Sequence, residues 1–180
     1  MKKYKKLLIF GGTFSPVHNG HLRAMQACCA ATSPDVLYVI PTATPPHKVR
    51  HDGATDKERM DMLHLAVGTL HTACPVVVSD IELLRGGASY TVDTLRALHE
   101  RGEDDLHLII GTDMLLSFDK IWRAPDEIAR LAALSVCARE NEDWDALERK
   151  AELLRETLGA TVELVRGDSL TISSTELRRG

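Results

Sequence analysis

The chain has 180 residues, 44% of them hydrophobic, and its 26 acidic and 22 basic side chains leave a formal net charge of -4. That length suits one domain, and the apolar share supplies a continuous core, which excludes a disordered chain. No stretch reaches the roughly 20 apolar residues of a membrane helix, and the Lys-Lys-Tyr-Lys-Lys run at 2–6 leads into an apolar run too short for a secretory signal. Cys28, Cys29, Cys74 and Cys137 have no CxxC spacing, so neither a zinc knuckle nor a disulfide framework is expected. They read as reduced thiols of a cytoplasmic protein. The mild acidity gives no electrostatic reason to expect nucleic acid or a membrane surface as partner, so any anionic ligand must be held locally.

In chain order, a short apolar strand at 6–10 is followed by a helical pattern at 22–31 and a second strand at 36–41. A long irregular segment at 42–55 carries Pro45, Pro46, His47, Lys48, Arg50 and His51, and loops of that length inside a compact domain are usually functional. The remaining pattern is helix 57–70, strand 76–83, helix 91–100, strand 106–111, helix 125–132, strand 134–138, helix 144–158 and strand 161–165. This alternation predicts an α/β fold: a doubly wound, Rossmann-like, mostly parallel sheet of about six strands with helices on both faces. Ligands of such sheets bind at the carboxyl ends of the strands. No repeat or linker divides residues 1–180.

The first strand ends in Gly11-Gly12-Thr13-Phe14-Ser15-Pro16-Val17-His18-Asn19-Gly20-His21-Leu22. This segment is neither GxGxxG nor GxxxxGK[ST], which argues against a nicotinamide dehydrogenase and against a P-loop NTPase. Gly11 and Gly12 admit a ligand close to the backbone, and Thr13 adds a hydroxyl donor. His18 and His21, three apart on the first turn of a helix, face the same way at the positive end of its dipole, a donor site for phosphate oxygens. Taken alone, the pair also reads as capping or packing histidines. A zinc site is not indicated, because the Glu of HExxH and a third ligand at a recognisable spacing are both absent.

A glycine pair after the first strand followed by HxGH resembles the nucleotidyltransferases that pass a nucleotide to a phosphate acceptor. Near the other end, Ile172-Ser173-Ser174-Thr175-Glu176-Leu177-Arg178 resembles the ISSTxxR segment that opens a helix holding the triphosphate in that superfamily. Ser173 and Glu176 also have capping-box spacing, which predicts a helix start without any ligand. Pro45-Pro46-His47-Lys48, Ser89-Tyr90-Thr91, Gly111-Thr112-Asp113 and Trp122 narrow the resemblance to the bacterial nicotinate mononucleotide adenylyltransferases. The resemblance implies AMP transfer from ATP to nicotinate mononucleotide, giving nicotinate adenine dinucleotide and pyrophosphate in NAD biosynthesis. It implies in-line attack on the α-phosphate without a covalent intermediate, with Mg2+ brought by ATP.

On that resemblance His18, His21, Lys48 and Arg178 are the catalytic candidates. Gly11, Gly12, Thr13, Phe14, Gly111, Asp113, Ser173, Ser174 and Thr175 are assigned to ATP, and Thr42, Tyr90, Thr91, Trp122 and Arg139 to nicotinate mononucleotide. Each has a plain alternative. Thr91 reads as an N-cap whose following amides are free to donate to a carboxylate, or as an ordinary cap. Trp122 is a stacking platform for a pyridine or a core tryptophan, and Asp113 a ribose acceptor or a helix cap. Ser15 and Glu140-Asn141 depart from the family pattern: the first bears on a contact around the reacting phosphates, and the second weakens the transfer of a role to Arg139. Another acceptor, nicotinamide mononucleotide or phosphopantetheine, and a non-catalytic nucleotide-binding module are the rival readings. The resemblance further implies a helical stretch beyond position 180, so a helix begun at Ser173 is expected to be short and weakly ordered.

Overall fold

The computed structural model describes residues 6–12, 14, 17–42, 55–85, 90–103 and 105–167. Among them are six strands: β1 (Lys6–Gly12), β2 (Val36–Pro41), β3 (Val76–Val78), β4 (Asp105–Gly111), β5 (Ala132–Ala138) and β6 (Val162–Arg166). They form one sheet in the order β3-β2-β1-β4-β5-β6, with every pairing parallel. The helices are α1 (Asn19–Thr32), α2 (Asp56–Val67), α3 (Ile81–Arg85), α4 (Thr91–Glu100), α5 (Thr112–Leu116), α6 (Phe118–Ile121), α7 (Pro125–Leu131) and α8 (Trp144–Leu158).

Strand alternation distributes the core. Leu7 and Ile9 of β1 join Leu95 of α4, Ile128 of α7 and Leu154 of α8 in one buried cluster, whereas Leu8 joins Met25 of α1 and Leu63 of α2 in the other. The sheet is therefore covered on both faces, as the apolar runs predict, and each fully buried Leu or Ile contributes about 1.5–3 kcal/mol. The chain builds outward from β1 through β2 to β3 and then returns to place β4 on the other side of β1. That reversal opens a crevice at the carboxyl ends of β1 and β4.

Several boundaries differ from the sequence reading; β1 runs on to Gly12 and α1 begins at Asn19 rather than at 22. The strand expected at 76–83 stops at Val78, because Ser79 makes the last bond to β2, its N–H donating to Val39 O at 2.9 Å. The chain then turns into α3. Ser79 Oγ accepts from Ile81 N–H at 3.4 Å, and Leu84 N–H donates to Asp80 O at 2.8 Å. The helix expected at 57–70 ends at Val67 against Gly68, and Ala132 belongs to β5 rather than to the preceding helix. Thr91 is not the cap of α4. The cap is Tyr90, in extended backbone (φ -118, ψ 133), and Asp93 and Thr94 donate to its carbonyl at 3.1 and 3.4 Å. Thr91 and Val92 are then the first two helical residues, whose N–H groups have no acceptor within the helix.

Candidate active site

The turn after β1 delivers two imidazoles to the start of α1. His18 is the N-cap, with extended backbone (φ -138, ψ 173), and His21 stands three residues on. The His18 N–H donates to His21 Nδ1 at 3.1 Å, while His21 and Leu22 donate to His18 O at 3.0 and 3.2 Å. The rings stack with centroids 3.6 Å apart and planes at 22°. The i, i+3 spacing thus serves capping and stacking together. Gly20 leaves room for this stack, since a Cβ there would lie 2.9 Å from His18 Cε1 and displace that ring.

His21 is also held from behind. The Phe14 ring meets it edge-on at 5.0 Å and 81°, and Phe10 lies 5.9 Å from it. Phe14 is only 3% exposed and adopts a left-handed backbone (φ 48), a conformation that a residue with a Cβ keeps only where its surroundings impose it. Its side chain is therefore part of the wall behind His21. Burial, and secondarily the proximity of His18, lowers the His21 pKa from 6.5 to about 4. At neutral pH His21 is uncharged. Because Nδ1 accepts the His18 N–H, the ring proton is assigned to Nε2. The result is a neutral N–H donor at a helix N-terminus.

A cleft of about 500 Å³ opens here. The sequence-assigned residues His18, His21, Gly111, Asp113 and Arg139 all line it. Gly111 ends β4 and caps α5, so Asp113 lies in the first turn of α5 rather than on the strand. Arg139 follows β5, and its carbonyl accepts from Trp144 Nε1 at 3.0 Å. Arg23 and Glu142 also line the cleft and were not singled out by the sequence reading. For Arg23 a signal existed: with Gly20 and Ala24 it forms an i, i+3, i+4 face of the helix that carries the histidines.

Other assigned residues lie apart from this lining. Gly11 and Gly12 are the last residues of β1, and Thr42 N–H donates to Gly12 O at 2.9 Å, extending the β1–β2 edge. Tyr90 and Thr91 begin α4. Trp122, after α6, is half-buried, with its ring 5.3 Å from Phe118 and packed on the core cluster. Thr13, Lys48, Ser173, Ser174, Thr175 and Arg178, with the variant position Ser15, lie outside the described residues. Among the described residues no group of three or more His, Cys, Asp or Glu is placed to hold a metal ion, and no helix is long and apolar enough to cross a membrane.

The profile of the Cytidylyltransferase-like family matches residues 9–180. A protein of Trichlorobacter lovleyi named probable nicotinate-nucleotide adenylyltransferase is 37% identical, covering 96% of this chain and 86% of its own. An Aquifex aeolicus protein of the same name is 35% identical, covering 94% and 99%. Among solved structures, the nicotinic acid mononucleotide adenylyltransferase of Plasmodium falciparum complexed with NaAD superposes with a TM-score of 0.74 at 16% identity, covering 98% of this chain and 83% of that one. At that identity the likeness concerns the fold.

Proposed function

The chain belongs to the Cytidylyltransferase-like family, together with the nicotinate-nucleotide adenylyltransferases, and from that premise we propose that it transfers AMP from ATP to nicotinate mononucleotide. The observation that carries this reading is the stacked His18–His21 pair, one member neutral, at the crevice between β1 and β4. A phosphate oxygen of the acceptor forms a bond to the α-phosphorus as the bond to pyrophosphate breaks. No side chain need be a nucleophile. The protein's contribution is to align two polyanions and to meet the charge that develops in the transition state.

His21 supplies that charge stabilisation through Nε2–H, a donor whose position is fixed by its backbone bond and by Phe14. A neutral donor suits an oxygen whose charge grows during the reaction, because it gives up no proton and pairs with no competing carboxylate. Asp113 and Gly111 offer a carboxylate acceptor and a side-chain-free approach for the ribose of ATP, and Arg139 a cation for the acceptor's phosphate. ATP enters as its magnesium complex, the ion being held mainly by phosphates and water. On the acceptor side, the Thr91 and Val92 N–H groups are donors without acceptor capacity. They suit a carboxylate better than a carboxamide. The catalytic and triphosphate roles of Lys48, Ser173, Ser174, Thr175 and Arg178 are part of the same proposal, as is a cytoplasmic location.

Pyrophosphate release with MgATP and each of nicotinate mononucleotide, nicotinamide mononucleotide and phosphopantetheine tests the reading. Release with the first, at a kcat/KM well above the others, is expected. Release only with phosphopantetheine moves the chain to another acceptor, and no release with any of them leaves a nucleotide-binding module.

A further inference from the structure

The two segments assigned to the pyridine end of the acceptor are joined by a contact that no motif announces. Arg123, which follows Trp122, holds its guanidinium carbon 4.4 Å from the ring centroid of Tyr90, the cap of α4. Both side chains stand at the surface. The contact is braced from two sides. Arg96 of α4 binds Glu127 of α7 through two guanidinium nitrogens and Asp93 of its own helix at 3.2 Å, which ties the two helices together beside it. Ala124, next after Arg123, is left-handed (φ 51, ψ 55) and caps α7 ahead of Pro125, so Arg123 stands beside a turn whose backbone conformation its surroundings must enforce.

The local charges divide unequally. Arg96 takes up Asp93 and Glu127, whereas among the described residues no carboxylate pairs with Arg123. The π face of Tyr90 attracts the cation without consuming the N–H donors in the guanidinium plane. A planar fork of donors that is held in place and still open on its edge matches one ligand group well, a planar carboxylate. A carboxamide offers one accepting oxygen and an NH₂ that faces donors only.

We propose that Arg123 is a specificity-determining residue of the acceptor site, its guanidinium selecting the carboxylate of nicotinate mononucleotide over the carboxamide of nicotinamide mononucleotide, with Tyr90 as the rest that holds it. This rests on the adenylyl-transfer reading above. It adds a charge beside a helix start whose free backbone groups are neutral donors.

The test measures kcat/KM for both acceptors, and the KM for ATP, in the wild type, Arg123→Met, Arg123→Lys and Tyr90→Leu. Arg123→Met keeps the length and removes the charge. It should lower kcat/KM for the nicotinate form by about 10- to 100-fold, the loss expected when a charged hydrogen bond is withdrawn, while the nicotinamide form and the KM for ATP stay within about twofold. Arg123→Lys should fall between, and Tyr90→Leu should lower kcat/KM for the nicotinate form by about 3- to 10-fold more than for the nicotinamide form, the size of a lost cation–π contact. An equal loss for both acceptors in Arg123→Met, or no loss for either, overturns the inference while leaving the activity standing. Absence of turnover in the wild type with both acceptors overturns the activity itself, and the inference with it.

Discussion

Substituting His21 by asparagine and by glutamine separates the two tasks of one ring. The Oδ1 of asparagine falls near the position of Nδ1 and can accept the His18 N–H that now reaches Nδ1 at 3.1 Å. It places nothing where Nε2–H points. The amide nitrogen of glutamine reaches the Nε2 position but abandons the cap. His21→Asn should therefore keep stability within about 1 kcal/mol of wild type, the worth of an N-terminal cap bond, and lose about 10²- to 10³-fold in kcat, as removal of one preorganised donor does. His21→Gln should show the reverse, about 1 kcal/mol less stable with a smaller loss of turnover. Pyrophosphate release at saturating substrates gives kcat, and urea unfolding gives stability. Equal kcat losses in the two variants, or near-normal turnover in His21→Asn, would refute the assignment of Nε2–H as the donor.

The same ring fixes a pH dependence. Burial, then the nearby His18, holds the His21 pKa at about 4, below the ordinary 6.5. Between those values the unfolded chain binds a proton that the native state refuses. Stability contributed by the neutral ring is complete above pH 6.5 and is lost as pH falls toward 4. The full linkage would be about 3 kcal/mol, and solvent at the half-buried ring reduces it to about 1–2 kcal/mol. The wild type should lose that much more stability than His21→Asn between pH 6.5 and 4. At pH 6 only about 1% of His21 is protonated, so turnover should show no step at 6.5 from this residue. Parallel stability curves for the two proteins would contradict the lowered pKa.

Gly20→Ala places a methyl 2.9 Å from His18 Cε1, and displacement of that ring should cost about 10- to 100-fold in kcat, with thermal unfolding little changed; normal turnover would show that the stack is not needed. Thr94 is buried and links α3 to α4, donating to Glu82 Oε2 at 2.6 Å and accepting from Arg85 at 3.2 Å. Thr94→Val leaves those charged partners short of a bond, and urea unfolding should register a loss of about 1–3 kcal/mol. Trp122→Ala should weaken nicotinate mononucleotide more than ATP in KM and also destabilise by about 2–4 kcal/mol, since the ring packs on Phe118. Equal changes in both KM values would leave Trp122 a core residue only.

What the sequence made legible was local. The short continuous apolar runs of β1 and β2 and the GG…HxGH spacing report local patterns, so the strands and the paired imidazoles at a helix start could be read directly. Where apolar residues continued through a change of structure, at 76–85, periodicity could not find the corner that Ser79 and Asp80 make. Phe14 was assignable to the phosphate loop by position, yet its left-handed backbone sends the ring behind His21, a result of packing that no spacing encodes. The contact between Tyr90 and Arg123 was least legible for the same reason. Tyr90 and Arg123 meet where α4 packs against α7, beside the Arg96–Glu127 pair. Chemistry that a helix start can perform by itself is thus written in short motifs. Holding the Arg123 charge at the face of Tyr90, by contrast, takes contacts between segments distant in the chain.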